Sequence, residues 1–176
     1  MTDVWVARNT GALLTVANDR TVILKCIEEH EKLVDELKTF LTNADFRTVV
    51  DFQPLPKYFS DISVRKGGNM LGLDRESRAR AIFVAGVTLL TPDGESAYAR
   101  VYQALSAMRA KVKAFAASID KDEDFIYLNY AHANEDPLGS YGKANVEYMK
   151  KVAAKYDPHQ FMQKRVPGGF KISRVQ

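Results

Sequence analysis

Thiols are nearly missing from this sequence. Cys26 is the only cysteine among 176 residues, which rules out an internal disulfide and any metal site built from several thiolates. At an apolar helical position it reads as a small buried hydrophobe. Long hydrophobic runs are missing too. No stretch approaches the ~20 apolar residues that span a bilayer. No basic segment leading into an apolar core opens the chain, and there is no Asn-x-Ser/Thr sequon; the expectation is a cytoplasmic protein with no membrane partner. Nor does charge of one sign dominate. Twenty-five basic residues face 22 acidic ones, for a net charge of +3, and the signs alternate, so no nucleic-acid footprint is present.

What is there suits a globular fold. The chain is 46% hydrophobic and 27% charged, with 10 Gly and 6 Pro, which excludes both a disordered and a fibrous composition. Its length suits one domain over residues 1–176 that buries about 70% of the surface its unfolded form would show.

Periodicity places the elements. Gly11 to Val16 predicts a strand, and Asp19 or Thr21 can cap a helix whose apolar positions recur every three or four residues from Ile23 to Phe40. Arg47 to Gln53 predicts a strand stopped by Pro54 and Pro56, with Val49, Asp51 and Gln53 on one face. "KYFSDIS" suits a short helix and "RKGGNMLGLD" a glycine-bearing loop. Ala81 to Leu90 predicts a strand covered on both faces. A long helix then runs through Ser118 with a stripe of Ala97, Val101, Leu105, Met108, Val112 and Phe115. Asp124 to Tyr130 predicts a further strand, and a helix follows from about Lys143 to Tyr156. This order fits either parallel βαβ units or an α+β fold. The preferred reading is an antiparallel sheet with helices packed on one face.

Catalytic signatures are scarce. His30, His132 and His159 stand apart, without ligand spacing. Gly67-Gly68 and Gly168-Gly169 match neither the G-x-G-x-x-G nor the P-loop pattern, and no Gly-x-Ser-x-Gly or His-Glu-x-x-His occurs. His30 reads as a packed boundary residue. His132, in a loop after the tyrosine-rich run, is a candidate ligand contact. A strand over 125–130 would put Phe125, Tyr127 and Asn129 on one face. Ring, hydroxyl and amide together suit a small-molecule wall; an exposed sheet edge would show the same pattern. Asp51 and Gln53 pose the same choice.

The stretch "YLNYAHANEDPLGSYGKANVEYMKKVAAKYDPHQFMQKRVPGGFKI" resembles the C-terminal signature of flavin-linked oxidases of the berberine-bridge-enzyme-like family, in the vanillyl-alcohol-oxidase group. The resemblance rests on Tyr-x-Asn-Tyr, Ser-Tyr-Gly, Asn145, Lys155-Tyr156-Asp157-Pro158, Phe161 and Pro167-Gly168-Gly169-Phe170. "DFQPLP" and "GGNMLGLD" resemble upstream segments of fungal members. It implies a substrate-binding domain, an antiparallel sheet backed by helices, whose C-terminal segment over 124–176 returns to the flavin domain. The N-terminal FAD-binding domain of such enzymes has no counterpart here. By position, Tyr127 resembles the family's active-site tyrosine and Asn129 a residue facing the flavin ring, with Asp51 and Gln53 on the substrate side.

The leading expectation is a free-standing, flavinless protein that needs no cofactor. It would bind an apolar small molecule and catalyse a non-redox cyclisation or isomerisation in secondary metabolism. Tyr127 and Asp51 would be catalytic; Phe125, Gln53, Asn129, His132 and Tyr141 would bind substrate. The alternatives are the substrate-binding part of an FAD-dependent oxidase whose FAD sits on a separate domain, and a non-catalytic binding protein. In the free-standing form the surface meant for a flavin domain would be bare, so self-association or a partner chain is expected to cover it.

Overall fold

A computed structural model of the chain describes residues 7–75 and 77–175. It resolves into two compact units, one of residues 7–54 and 80–123, the other of residues 55–79 and 124–175.

Unit 1 is a three-stranded antiparallel sheet with helices packed against it, as the preferred α+β reading expects. Strands β1 (Arg8–Ala17), β2 (Phe46–Leu55) and β3 (Arg80–Leu89) lie in the order β1-β3-β2. β1 and β3 pair over their full length, from Arg8 opposite Leu89 to Ala17 opposite Arg80. Period-two alternation then sends Ala12, Leu14 and Val16 of β1 and Phe83, Ala85, Val87 and Leu89 of β3 into one core. Phe52 of β2 joins them, its ring 5.3 Å from that of Phe83.

Helices α1 (Arg20–Lys38) and α4 (Tyr98–Ser118) complete this core; the short α3 (Pro92–Ser96) precedes α4. Asp19 caps α1 by accepting the Thr21 N–H at 2.8 Å, and that bond lowers the pKa of its carboxyl group. The buried stripe of α1 is Val22, Cys26, Glu29, Leu33 and Leu37. It is rotated from the expected one, and Leu24 and Ile27 face solvent. Glu29 sits in the stripe because Lys25 and Lys32 reach it at 2.9 and 2.8 Å, which compensates its charge. On α4 the stripe agrees through Val112, after which Ala116 rather than Phe115 is buried. Burial pushes the Cys26 thiol up to about 12, as suits a packed hydrophobe.

Several buried polar groups in this unit carry a cost. Arg80 and Glu123 form a buried ion pair, Nε to Oε2 at 2.7 Å with each side chain 5% exposed. His30 is half-buried, its Nε2 without a hydrogen-bond partner, and burial lowers its pKa against the opposing pull of Glu31.

Unit 2 is built from helices and turns, with α2 (Lys57–Arg65), α5 (Lys143–Tyr156) and α6 (Phe161–Lys164) as its helices. α5 matches the sequence expectation. The run 124–130 does not. It is extended only as far as Tyr127 and then closes into a 3-10 turn over Leu128–Tyr130, where the Tyr130 N–H donates to the Tyr127 carbonyl at 3.0 Å. The alternating faces expected of a strand do not exist there. A small apolar cluster, Val146, Ile172 and Val175 with Leu138 and Met149, holds α5 to the C-terminal segment. Among the described residues no helix is long and apolar enough to cross a membrane.

Removing Glu123 strips the Arg80 guanidinium of a carboxylate 2.7 Å away in a buried setting, so Glu123→Ala should cost about 1.5–3 kcal/mol in urea unfolding. The double variant Arg80→Met/Glu123→Leu should recover most of that loss; an intact midpoint in Glu123→Ala would show the pair to be idle. For His30 the folded pKa is depressed, so the unfolded chain takes up its proton first as pH falls below about 6.5. The stability held by the neutral ring is therefore present above that pH and drains away below it. The urea midpoint should fall between about pH 7 and 5, and His30→Leu should flatten that slope.

Candidate functional site

The aromatic cluster of unit 2 gathers four of the residues singled out from sequence. Phe125 and Tyr141, 6% and 5% exposed, stack with ring centroids 5.7 Å apart and planes 19° from parallel. Tyr127 stands edge-on to Tyr130 at 5.1 Å, and the Asn129 amide donates to the Tyr127 hydroxyl oxygen at 2.8 Å. Burial raises the pKa of the Tyr141 phenol, opposed by a hydrogen bond from the Leu128 backbone and helped slightly by Tyr127. Tyr127 is half-buried, while Asn129 and Tyr130 are exposed. One end of the cluster is therefore packed and the other is wet, the combination that tyrosine serves.

His132 lies just beyond. Its Nδ1 accepts the Asn134 N–H at 3.3 Å and its backbone N–H donates to Glu135 at 2.8 Å, so part of its role is to hold the loop. Asp51 and Gln53 belong to β2 in unit 1. They share a face, as their spacing requires, and the Gln53 amide donates to Asp51 Oδ2 at 2.8 Å. Asp51 is exposed and Gln53 half-buried. Among the described residues no cluster of His, Cys, Asp or Glu could hold a metal ion.

Sequence reasoning did not assign roles to the residues that hold the cluster. The Arg75 guanidinium donates from Nε to the Gly72 carbonyl at 3.0 Å and from Nη2 to the Ser140 carbonyl at 2.9 Å. Ser140 Oγ accepts the Ile126 N–H at 3.0 Å and donates to the Pro137 carbonyl at 2.6 Å. Asn145, in the first turn of α5, donates to the carbonyls of Met70 at 3.2 Å and Tyr141 at 3.1 Å. Gly142 makes this approach possible. Its φ of 94° suits glycine alone, and a Cβ there would run into the Arg75 guanidinium. The hints in the sequence were the Ser-Tyr-Gly triplet, Asn145 in the helix after it and the GGNMLGLD segment; nothing pointed to Arg75.

Comparison with known proteins gives this geometry a context. The chain is 32% identical over 163 residues to the FAD-dependent monooxygenase drtC of Aspergillus calidoustus, covering 92% of this chain and 30% of that protein. It is 30% identical over 168 residues to the FAD-dependent monooxygenase sdcF of Emericella nidulans, covering 96% and 34%. With the FAD-dependent monooxygenase FUP4 of Fusarium proliferatum the identity is 34% over 144 residues, covering 79% and 27%. The chain is thus related to fungal FAD-dependent monooxygenases and spans about a third of their length. No family model matches it, and no solved structure does.

These findings correct the resemblance drawn from the C-terminal motifs. The relatives are described as FAD-dependent monooxygenases, not specifically as berberine-bridge-enzyme-like or vanillyl-alcohol-oxidase-type oxidases. The short motifs also have local structural work. Ser140 and Gly142 shape the turn before α5, and the Asp157 carboxylate accepts the Phe161 and Met162 N–H groups at 2.7 and 2.9 Å to start α6.

Replacing Arg75 with Met removes two charge-assisted bonds and should destabilise unit 2 by about 1.5–3 kcal/mol. Near-ultraviolet circular dichroism from the packed Phe125 and Tyr141 should weaken while the far-ultraviolet helix signal persists. An unchanged aromatic signal would show that the cluster holds without Arg75.

Proposed function

We propose that this chain supplies the substrate-side portion of an FAD-dependent monooxygenase-like enzyme of fungal secondary metabolism, with the flavin bound by protein outside these 176 residues. The single observation that carries the reading is the match of nearly the whole chain to about a third of each such relative. Of the readings set out from sequence, the relatives support this one better than a flavinless cyclase or isomerase.

The residues described do not fit a complete flavin site. A pyrophosphate is held by backbone N–H groups opening on a helix N-terminus. Gly67-Gly68 instead follow the C-terminal end of α2, and Gly168-Gly169 lie beyond the end of α6. Carbonyl groups crowd the end of α2, where the partial charge repels phosphate, and among the described residues no α-helix follows Gly168-Gly169 to offer an N-terminus to a pyrophosphate. No reaction step through a flavin is therefore derived from this chain.

What these residues can supply is placement of an apolar substrate. The Tyr127 oxygen already accepts from Asn129, which turns the phenol's own proton toward a substrate carbonyl or hydroxyl. Phe125 and Tyr141 give the phenol a rigid backing, and His132, in the adjoining loop, extends the polar rim. On β2 of unit 1, and taken by itself, Asp51 oriented by Gln53 is a candidate base. Tyr148, Tyr156, Phe161 and Met162, all more than half exposed, are the apolar surface we assign to contact with the flavin-bearing protein.

The test is a chimaera in which this chain replaces the matching third of the Aspergillus calidoustus enzyme. The product should retain bound flavin and turn over with altered substrate preference. Tyr127→Phe in that chimaera should lower kcat about 10- to 1,000-fold without loss of flavin. A soluble, flavin-loaded chimaera that neither binds nor converts substrate would overturn the reading.

A further inference from the structure

Unit 2 also contains an open-sided groove of about 660 Å³. Two stretches of chain line it, one through Ala131, Ala133 and Leu138 and the other through Phe170, Lys171, Arg174 and Val175. Pockets that take a drug-sized organic molecule run from roughly 300 to 1,000 Å³. The floor is firm, because Leu138 and Val175 belong to the packed cluster of Val146 and Ile172. Gly168 and Gly169, at φ of 76° and 64°, also line it, with nothing but their chain neighbours within 4 Å of where a Cβ would stand.

Four charged side chains ring the groove, and they are not equivalent. Glu135 accepts the His132 N–H at 2.8 Å, and Asp136 accepts the Gly139 N–H at 3.0 Å. Both carboxylates are committed to closing their own loop. The side chains of Lys171 and Arg174, by contrast, form no hydrogen bond or ion pair among the described residues. An apolar floor beneath two uncommitted cations is complementary to one class of molecule.

We propose that this groove binds an apolar organic acid. Its ring or chain body would lie on Leu138, Phe170 and Val175, and its carboxylate or sulfonate would meet Lys171 and Arg174. The proposal stands apart from the flavoenzyme reading, since it concerns unit 2 alone and is measured without flavin.

Two fluorescent probes with the same rings decide it on the whole purified chain. 8-Anilinonaphthalene-1-sulfonate carries the anion and N-phenyl-1-naphthylamine lacks it. The sulfonate should bind about tenfold more tightly than the neutral dye, and 1 M salt should erase most of that preference. Lys171→Ala/Arg174→Ala should abolish the preference and leave the neutral dye unaffected. Ala133→Trp, which sets an indole into the groove, should weaken both dyes. Equal affinity of the wild-type chain for the two dyes overturns the proposal even should a variant fail to fold. So does a preference that survives in the double variant, or binding indifferent to Ala133→Trp.

Discussion

The geometry of unit 2 depends on one set of contacts, the capture of two backbone carbonyls and one backbone N–H by side chains at the turn before α5. Helices and turns cannot hold remote segments in register as a sheet ladder does. Arg75, Ser140 and Asn145 do so instead, tying the 70–75 loop, the Pro137–Tyr141 turn and the start of the aromatic run together. Each bond is modest alone, and the three act on one short stretch of chain. The tyrosines keep their arrangement because the backbone beneath them is pinned.

Unit 1 follows a different logic. Its stability comes from burial of alternating apolar residues on β1 and β3 against the stripes of α1 and α4. That source tolerates exceptions that are compensated. Glu29 enters the stripe of α1 between two lysines, and Arg80 and Glu123 enter as a pair. His30 enters without compensation at Nε2, which gives the unit an acid-sensitive point.

Legibility from sequence divides along the same line. The elements of unit 1 were readable because period-two and period-3.6 patterns act locally, and Asp19 and Thr21 offered two starts for α1, of which the structure uses Asp19. Burial of Glu29 was not readable, since its partners are visible only once the helix is wound. In unit 2 the helix from Lys143 to Tyr156 was readable, but the tyrosine-rich run looked like a strand because Phe, Ile and Tyr favour strands in general. Packing of Phe125 on Tyr141 and the turn at Leu128 won over that propensity. Of the candidate site, Phe125, Tyr127, Asn129 and Tyr141 stood out by residue type, but the shared strand face expected of the first three does not form, because the chain turns at Leu128. The carbonyl clamp of Arg75 was not, because it joins residues 65 positions apart.

β2 forms a margin of the sheet, and its composition has a bearing on how the protein behaves at high concentration. A bare strand margin invites pairing with another molecule's backbone and growth into aggregates. Arg47, Asp51 and Pro54 all face solvent along this one: two charges of opposite sign that resist desolvation, and a tertiary amide that donates no hydrogen. The same strand that carries a candidate base is thereby furnished as a gatekeeper, shielding exposed Val49 from stacking against its like.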